Sequence, residues 1–233
     1  MSGIVATEHQ RTPVPGPAFV RLLARITGEE IPAPGPPVAA RLGQWVDWNR
    51  AVALSAALDG RLPAAADGVP DTAGIEPDGE AGACARARRA LEDAIAARGP
   101  GGSRAPASDA APDFAPYRRD YLDLQRSMQA TTGQLRGRLR DALASRPGDA
   151  ARLAEVDAVM EQTLSPREQA LLATVPALLG AHFERLRAAA DAAPDPSPGD
   201  WRARFHHDMH RVLRAELDVR FHPIDGLLAA LRP

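Results

Sequence analysis

The sequence contains no lysine and a single cysteine, and these two absences limit the kinds of site that it can build. All 28 basic residues are therefore arginine. We attribute this to mutational bias in a GC-rich genome, because a surface charge needs only a cation and either residue supplies one. Cys84 has no second cysteine to pair with, which excludes an intrachain disulfide and a cysteine-rich metal site.

The sequence also lacks a long apolar run and an excess of one charge. Its longest apolar stretches are far shorter than the roughly 18 residues needed to span a bilayer. Its first ten residues, MSGIVATEHQ, lack the charged and apolar regions of a signal peptide. The formal net charge is −2, unlike the strongly basic surface that is typical of nucleic-acid-binding proteins. We expect a soluble, cytoplasmic protein without a transmembrane segment.

Helical spacing of apolar residues and clusters of proline divide the chain into four parts. Residues 1–16 are polar and contain prolines, which predicts a flexible leader. Residues 17–58 predict an αα-hairpin with a stiff, proline-rich connection. Residues 59–112 are rich in glycine, proline and aspartate, which predicts a mostly disordered acidic linker with one weakly docked helix near 81–98. Residues 113–233 predict an antiparallel helical bundle.

The longest predicted helix extends from Asp113, as its N-cap, to about Ser145. Along it, large apolar and aromatic residues recur every three or four positions, which is the spacing of a helix–helix or coiled-coil seam. The candidate interaction seam consists of Tyr121, Leu124, Met128, Leu135 and Leu139. If the monomer leaves it exposed, its apolar area exceeds what soluble monomers normally show, and we expect it to contact a protein partner or a second copy.

Prolines predict further boundaries within the bundle. Ser165 followed by Pro166 has the features of a helix start, and Pro176 is expected to kink the helix that follows. Pro223 is expected to separate the last long helix from a short terminal one. No alternating pattern predicts a strand, so the predicted fold class is all-α.

Two histidines in the last long helix form the only candidate metal site. His206 and His210 are four residues apart, so their rings share one helix face, as the ligands of a Zn²⁺ or Fe²⁺ site can. The glutamate that metalloproteases have beside the first histidine is absent, and a third ligand would have to come from Asp208 or His182. A simpler interpretation is that both rings cover apolar surface with their carbons.

Charged residues also fall on the apolar face of the last helix. A helical projection puts Arg202, Glu216 and Arg220 there, and Glu216 and Arg220 have the favourable i, i+4 order of an ion pair. We interpret these three residues as a partly buried cluster that sets the register of the bundle or of a partner. The alternative is a slight rotation of the helix that lets these groups reach solvent.

A local basic stretch is the only feature that points towards nucleic acid. It consists of Arg136, Arg138, Arg140 and Arg146. Their spacing spreads them around the helix instead of forming one stripe, and no aromatic platform accompanies them. We therefore keep a nucleic-acid-binding accessory only as an alternative function.

Several blocks of sequence resemble a known family. They are GPAFVRLLAR at 16–25, LGQW at 42–45, ALSAAL at 53–58, FAPYRRDY at 114–121 and AELDVRFHPIDGLLAAL at 215–231. Together they resemble an uncharacterised proteobacterial domain-of-unknown-function family, number thirty-three forty-eight. The resemblance implies no activity and no catalytic residues. It does imply a gene setting near large coiled-coil and outer-membrane-protein-A-like products, and hence an accessory of an envelope-associated machine.

No pattern brings together groups that could perform chemistry, and we expect no pocket in which a reaction takes place. The predicted function is a non-enzymatic interaction or scaffold protein that contacts a protein partner or itself through helix faces, with no cofactor. A metal-dependent enzyme that uses His206 and His210 is the rival interpretation.

Overall fold

The structure is a computed structural model that describes residues 18–28, 36, 38–59, 77–98, 113–192 and 200–232. These residues form helices and no strand, so the all-α prediction is confirmed. The eight helices are α1 (Ala18–Thr27), α2 (Val38–Trp45), α3 (Trp48–Leu58), α4 (Pro77–Ala97), α5 (Ala115–Ala144), α6 (Asp149–Leu172), α7 (Val175–Asp191) and α8 (Asp200–Leu231). The predicted leader and most of the predicted linker lie outside the described residues.

The two longest helices, α5 and α8, form the centre of the bundle. Their 30 and 32 residues correspond to lengths of about 45 and 48 Å at 1.5 Å per residue. Their ends lie together, because Arg146 after α5 donates a hydrogen bond of 2.5 Å to the carbonyl of Leu231 at the end of α8. Near the start of both helices, the ring centroids of Tyr117 and Phe205 are 5.2 Å apart, so α5 and α8 run parallel.

Helices α4 and α6 run antiparallel to α5. Arg136 in the second half of α5 contacts Asp157 near the start of α6, and Gln125 near the start of α5 contacts Leu172 at the end of α6. In the same way, Arg138 of α5 contacts Glu80 at the start of α4. The predicted antiparallel arrangement therefore describes neighbours in sequence but not the α5–α8 pair.

The hairpin predicted over 17–58 has two helices, but the structure has three there, because residues 38–58 form α2 and α3 instead of one helix; this is a correction. Asp47 ends the first and begins the second, because its carboxylate accepts a hydrogen bond of 2.9 Å from the backbone N–H of Arg50. An aspartate that caps in this way competes with continuation of the helix. The N-cap formed by Asp47 thus explains why α2 and α3 are separate helices.

The packing partner of α1 also differs from the predicted hairpin. This helix packs against α7 and α8, whereas α3 packs against α6. Gly28 ends α1 with φ of +68°, a conformation in which glycine lacks the steric cost of a Cβ. Arg185 of α7 donates hydrogen bonds to the carbonyls of Ile26 and Thr27, which satisfies the last turn of α1 from outside the helix.

Two predicted proline boundaries are wrong. Pro166 lies inside α6 and Pro223 lies inside α8, and both helices continue through the proline. In α8 the apolar residues on both sides, Phe221 and Ile224, are buried, so packing offsets the lost backbone hydrogen bond. At Pro176 the expected interruption does occur: α6 ends at Leu172, and α7 begins with this proline in its first turn.

The helix predicted near 81–98 packs more deeply than its few large apolar residues suggest. In α4, Ile95 has no exposed area, and Leu91 and Cys84 are also buried. Ion pairs add to this packing: Arg88 of α4 contacts Asp218 at 3.1 Å and lies over the ring of Phe221. The helix is a full part of the bundle.

Truncation of Ile95 tests how firmly α4 is held. We expect Ile95→Ala to lower the free energy of unfolding by about 2–5 kcal/mol, because it leaves a cavity in a fully buried site. Urea denaturation followed by circular dichroism measures this change. The exposed neighbour variant Glu92→Ala should stay within about 0.5 kcal/mol of the parent. Equal, small effects for both variants would contradict tight docking of α4.

Candidate functional site

The predicted interaction seam forms the interior of the bundle. Tyr121, Met128 and Leu139 have no exposed area, and Leu124 and Leu135 are exposed by 3% and 5%. Helices α4, α6 and α8 of the same chain pack against this helix. The spacing therefore identified a real seam, but the chain itself covers it, so these five residues are not a surface for a partner.

Glu216 is the centre of a buried polar network between the two parallel helices. Its side chain has no exposed area. The hydroxyl of Tyr121 donates to its Oε2 at 2.6 Å, and Arg220 donates to its Oε1 from Nε at 3.0 Å and Nη2 at 2.8 Å. Gln125 donates from Nε2 at 3.1 Å. We call these four residues the Glu216 network.

The tyrosine of this network is held in its protonated form. Burial, followed by the negative charge of Glu216, raises the pKa of Tyr121 well above its ordinary value of 10.0. A protonated hydroxyl is a donor, which is what the carboxylate of Glu216 requires. Both oxygens of the buried carboxylate therefore accept hydrogen bonds from their neighbours.

Arg202 does not belong to this network, although the helical projection grouped it with Glu216 and Arg220. Its side chain is exposed, and its guanidinium lies 5.5 Å from the ring of Trp201. Arg202 lies about four turns before Glu216 on α8. A helical projection shows which residues share a face but not how far apart they are along the axis, so it grouped residues that are not in contact. The predicted cluster is corrected to Glu216 and Arg220, joined by Tyr121 and Gln125 of α5.

Arg220 connects the network to an open cleft between α5, α6 and α8. The cleft has a volume of about 430 Å³, within the range of small-molecule sites. We call it the polar cleft; it is lined by Gln129, Thr132, Gly133, Arg136, Glu161, Gln162, Ser165, Pro166, Glu168, Gln169, Arg220 and Pro223. The sequence predicts no pocket in which a reaction takes place, and that stays a prediction; the cleft nevertheless brings polar side chains of three helices together.

The cleft has a signal in the sequence that we overlooked. On α5, Gln129, Thr132, Gly133 and Arg136 follow the i, i+3, i+4, i+7 spacing of one helix face, and all four line the cleft. The opposite walls include Pro166 and Pro223, at which the sequence predicts helix boundaries. They lie instead within continuous helices that face each other.

His206 and His210 lie near each other but do not gain a third ligand. Their ring centroids are 6.3 Å apart, and His210 Nε2 is 3.1 Å from the carbonyl of Arg98. His182 and Asp208, the suggested third ligands, pair with each other at 3.0 Å. Among the residues that the structure describes, no group of three or more His, Cys, Asp or Glu side chains could hold a metal ion.

His206 is instead part of a buried aromatic cluster. Its ring packs edge-on against that of Tyr117, with centroids 4.9 Å apart. Its Nδ1 is buried and has no hydrogen-bond partner among the described residues. Burial, followed by the charge of His210, lowers the pKa of His206 from its ordinary value of 6.5. Burial likewise lowers the pKa of His182, although Asp208 opposes the shift.

The basic stretch of α5 is engaged within the chain. Arg136 donates two hydrogen bonds to Asp157, at 2.8 and 2.7 Å, and Arg140 contacts both Asp157 and Glu161. Arg138 contacts Glu80 at 2.6 Å, and Arg146 caps α8. The basic stretch therefore stabilises contacts between helices.

Among the residues that the structure describes, the most exposed large apolar side chains lie on α3 and on α6. On α3, Trp48 is 81% exposed, Val52 52% and Leu58 56%. Beside them is a groove of about 470 Å³, lined by Leu42, Gly43, Val46, Ala51, Leu54, Ser55, Leu58 and Asp59. We call these residues together the α2–α3 surface. On α6, Leu171 is 71% exposed and lies outside this surface.

Comparison with protein families identifies one match, which covers residues 5–233 and is described as "Protein of unknown function (DUF3348)". The chain belongs to this family. The resemblance drawn from its sequence blocks is thereby confirmed. Comparison of this DUF3348 chain with curated proteins and with solved structures finds no match. Within the described residues, no helix is both long and apolar enough to cross a membrane.

Removal of the central carboxylate tests the Glu216 network. We expect Glu216→Ala to lower the free energy of unfolding by about 3–5 kcal/mol, because it leaves the charge of Arg220 buried without a partner. Urea denaturation measures the loss. Arg202→Ala, which removes a charge from the same helix but outside the network, should change stability by at most about 0.5 kcal/mol. Unchanged melting and unchanged self-association of Glu216→Ala would contradict the hypothesis that the network sets the register of the bundle or of a partner.

The two lowered histidine pKa values predict a loss of stability in mild acid. The unfolded chain binds protons near pH 6.5, whereas folded His206 and His182 bind them at lower pH. Stability is therefore fully present above pH 6.5 and declines as the pH falls below it. Denaturation from about pH 7.5 to about pH 5.5 measures the decline. His206→Leu should make it shallower, and the exposed control His207→Gln should not; identical slopes would contradict the assignment.

Proposed function

We propose that this DUF3348 chain is a non-enzymatic scaffold protein that associates with a second copy of itself through the α2–α3 surface. The observation that carries the proposal is the 81% exposure of Trp48. Tryptophan is enriched among the residues that dominate binding energy at protein interfaces. An isolated exposed apolar residue needs no explanation, but this indole lies with Val52 and Leu58 beside an apolar groove.

A second copy fits this surface because the surface carries both halves of a contact. A two-fold interface brings the same patch together from both subunits, so the patch must complement itself. The α2–α3 surface combines a projecting side chain, Trp48, with an adjacent groove whose walls include Leu42, Val46 and Leu54. In the proposed dimer, the indole of each copy occupies the groove of the other.

Local charges support this assignment. Asp47 and Arg50, at the start of α3, form an ion pair with each other at 2.9 Å. These two charges are thus compensated within each copy, which limits repulsion across a two-fold axis to the carboxylate of Asp59 at the end of α3. The seam on α5 is covered within the chain. Among the described helices, the α2–α3 surface therefore exposes more large apolar side chains than α6, where Leu171 is exposed alone.

Two further parts of the proposal rest on other support. A cytoplasmic location is proposed from the composition, because a single cysteine forms no intrachain disulfide. An accessory role beside an envelope-associated machine is proposed from the family resemblance alone. In that role, the dimer would hold two bundles at a fixed distance from each other.

Sedimentation velocity over a range of concentrations tests the proposed dimer. We expect the parent chain to show a concentration-dependent dimer. Trp48→Ser should weaken association by about 2 kcal/mol or more, because it removes a central interface anchor. At concentrations where the parent is monomeric, the variant should melt like the parent, since the indole makes little contact within the monomer.

Leu171→Ser is the matched control for this experiment. It also replaces an exposed apolar residue with serine, but outside the α2–α3 surface, and should leave the dimer intact. A parent chain that is monomeric at every concentration would reject the proposal. So would equal association of the parent and Trp48→Ser.

A further inference from the structure

The polar cleft contains two arginines that are held in place from behind. Arg220 uses Nε and Nη2 to bind Glu216, and Arg136 uses Nε and Nη2 to bind Asp157. In each guanidinium, two nitrogens are occupied by a carboxylate and the third, Nη1, is not. Both side chains are thereby fixed in position with hydrogen-bonding capacity left over.

The remaining nitrogens lie on the cleft side of these arginines. Nη1 of Arg220 is 3.7 Å from Oε1 of Glu168, and Nη1 of Arg136 is 3.7 Å from Oε1 of Glu161. Both glutamates line the cleft. A separation of 3.7 Å is too long for a direct hydrogen bond, and neither Nη1 forms one with any described residue.

Burial makes these nitrogens dependent on what enters the cleft. The side chain of Arg220 is only 6% exposed and that of Arg136 is 15% exposed. Each arginine therefore has little access to bulk water except through the cleft. A donor that reaches solvent through a cleft is hydrogen-bonded there by water or by a ligand that replaces the water.

The geometry of each arginine–glutamate pair favours a hydroxyl group. A hydroxyl accepts a hydrogen bond from an N–H and donates its own hydrogen to a carboxylate oxygen. One hydroxyl oxygen can lie within hydrogen-bond distance of both atoms when they are 3.7 Å apart. The cleft repeats this donor–acceptor pair twice, and three glutamine amides (Gln129, Gln162 and Gln169) supply further donors and acceptors.

The charge of the lining opposes a charged ligand of either sign. Arg136 and Arg220 oppose a cation, and Glu161 and Glu168 oppose an anion. The pyrrolidine rings of Pro166 and Pro223 add apolar faces against which C–H groups can pack. We propose that the polar cleft is a binding site for a neutral, polyhydroxylated small molecule, a sugar or polyol, whose hydroxyls bridge the two arginine–glutamate pairs.

Two glycines of α5 allow the cleft to be filled without disturbing the fold. A Cβ built at Gly133 or at Gly137 meets nothing within 4 Å, so either position accepts a larger side chain. Gly133 lines the cleft and Gly137, one turn later, does not. Gly133→Leu should occupy the cleft, and Gly137→Leu is its matched control. Leucine favours the helix more than glycine does, so both variants should melt at or above the temperature of the parent.

Isothermal titration of the full chain with glucose, trehalose and sorbitol tests the proposal, with inorganic phosphate and spermidine as charged comparisons. We expect saturable binding of at least one of the three neutral probes to the parent and to Gly137→Leu. Binding to Gly133→Leu should be weaker by about ten-fold or more. Phosphate and spermidine should not bind at the cleft.

A second variant keeps the test decisive if Gly133→Leu does not fold. Glu168→Ala truncates a partly exposed side chain and removes the carboxylate that accepts the hydroxyl hydrogen, so it should also weaken binding about ten-fold. Three results would overturn the proposal: no binding of any neutral probe to the parent, equal binding to all the folded variants, or binding of phosphate or spermidine alone.

Discussion

The carboxylate of Glu216 lies between α5 and α8 with no exposed area, and the arrangement of the central helices depends on how it is satisfied. Tyr121 and Gln125 donate to it from α5 and Arg220 from its own helix, while Gln125 also reaches the carbonyl of Leu172 at the end of α6. Because a buried charge without donors is costly, a shift of α5 along α8 would break several matched contacts together. We therefore interpret the network as setting the register of three helices.

The same register creates the polar cleft. Arg220 faces Glu216 with two nitrogens and Glu168 with the third, so one side chain belongs both to the interior and to the cleft wall. Arg136 has the equivalent arrangement with Asp157 and Glu161. The walls are long helices whose other faces are buried in the core. A site supported in this way is held more rigidly than one built on loops.

Arginine has a structural role throughout this lysine-free chain. Arg185 and Arg146 donate to carbonyl groups at the ends of α1 and α8, and Arg88 bridges α4 to α8 while it covers the ring of Phe221. A guanidinium presents several donors in a fixed plane, so it can bind two acceptors or stack on a ring at once. The compositional bias therefore has a consequence for the fold, whatever its genetic origin.

The spacing of apolar residues, of prolines and of oppositely charged side chains along the sequence determined several features of this fold. The helical class, the buried face of α5 from Tyr121 to Leu139, the interruption before Pro176 and the pairing of Glu216 with Arg220 are local properties, set by side-chain spacing along a helix. Only the tertiary structure decided which helix covers that face, whether Pro166 and Pro223 end their helices, and that Arg202 stands apart. It also brought Arg136, Glu168 and Arg220 from three helices into one cleft. Those outcomes depend on contacts between residues distant in sequence, where burial outweighs local preference.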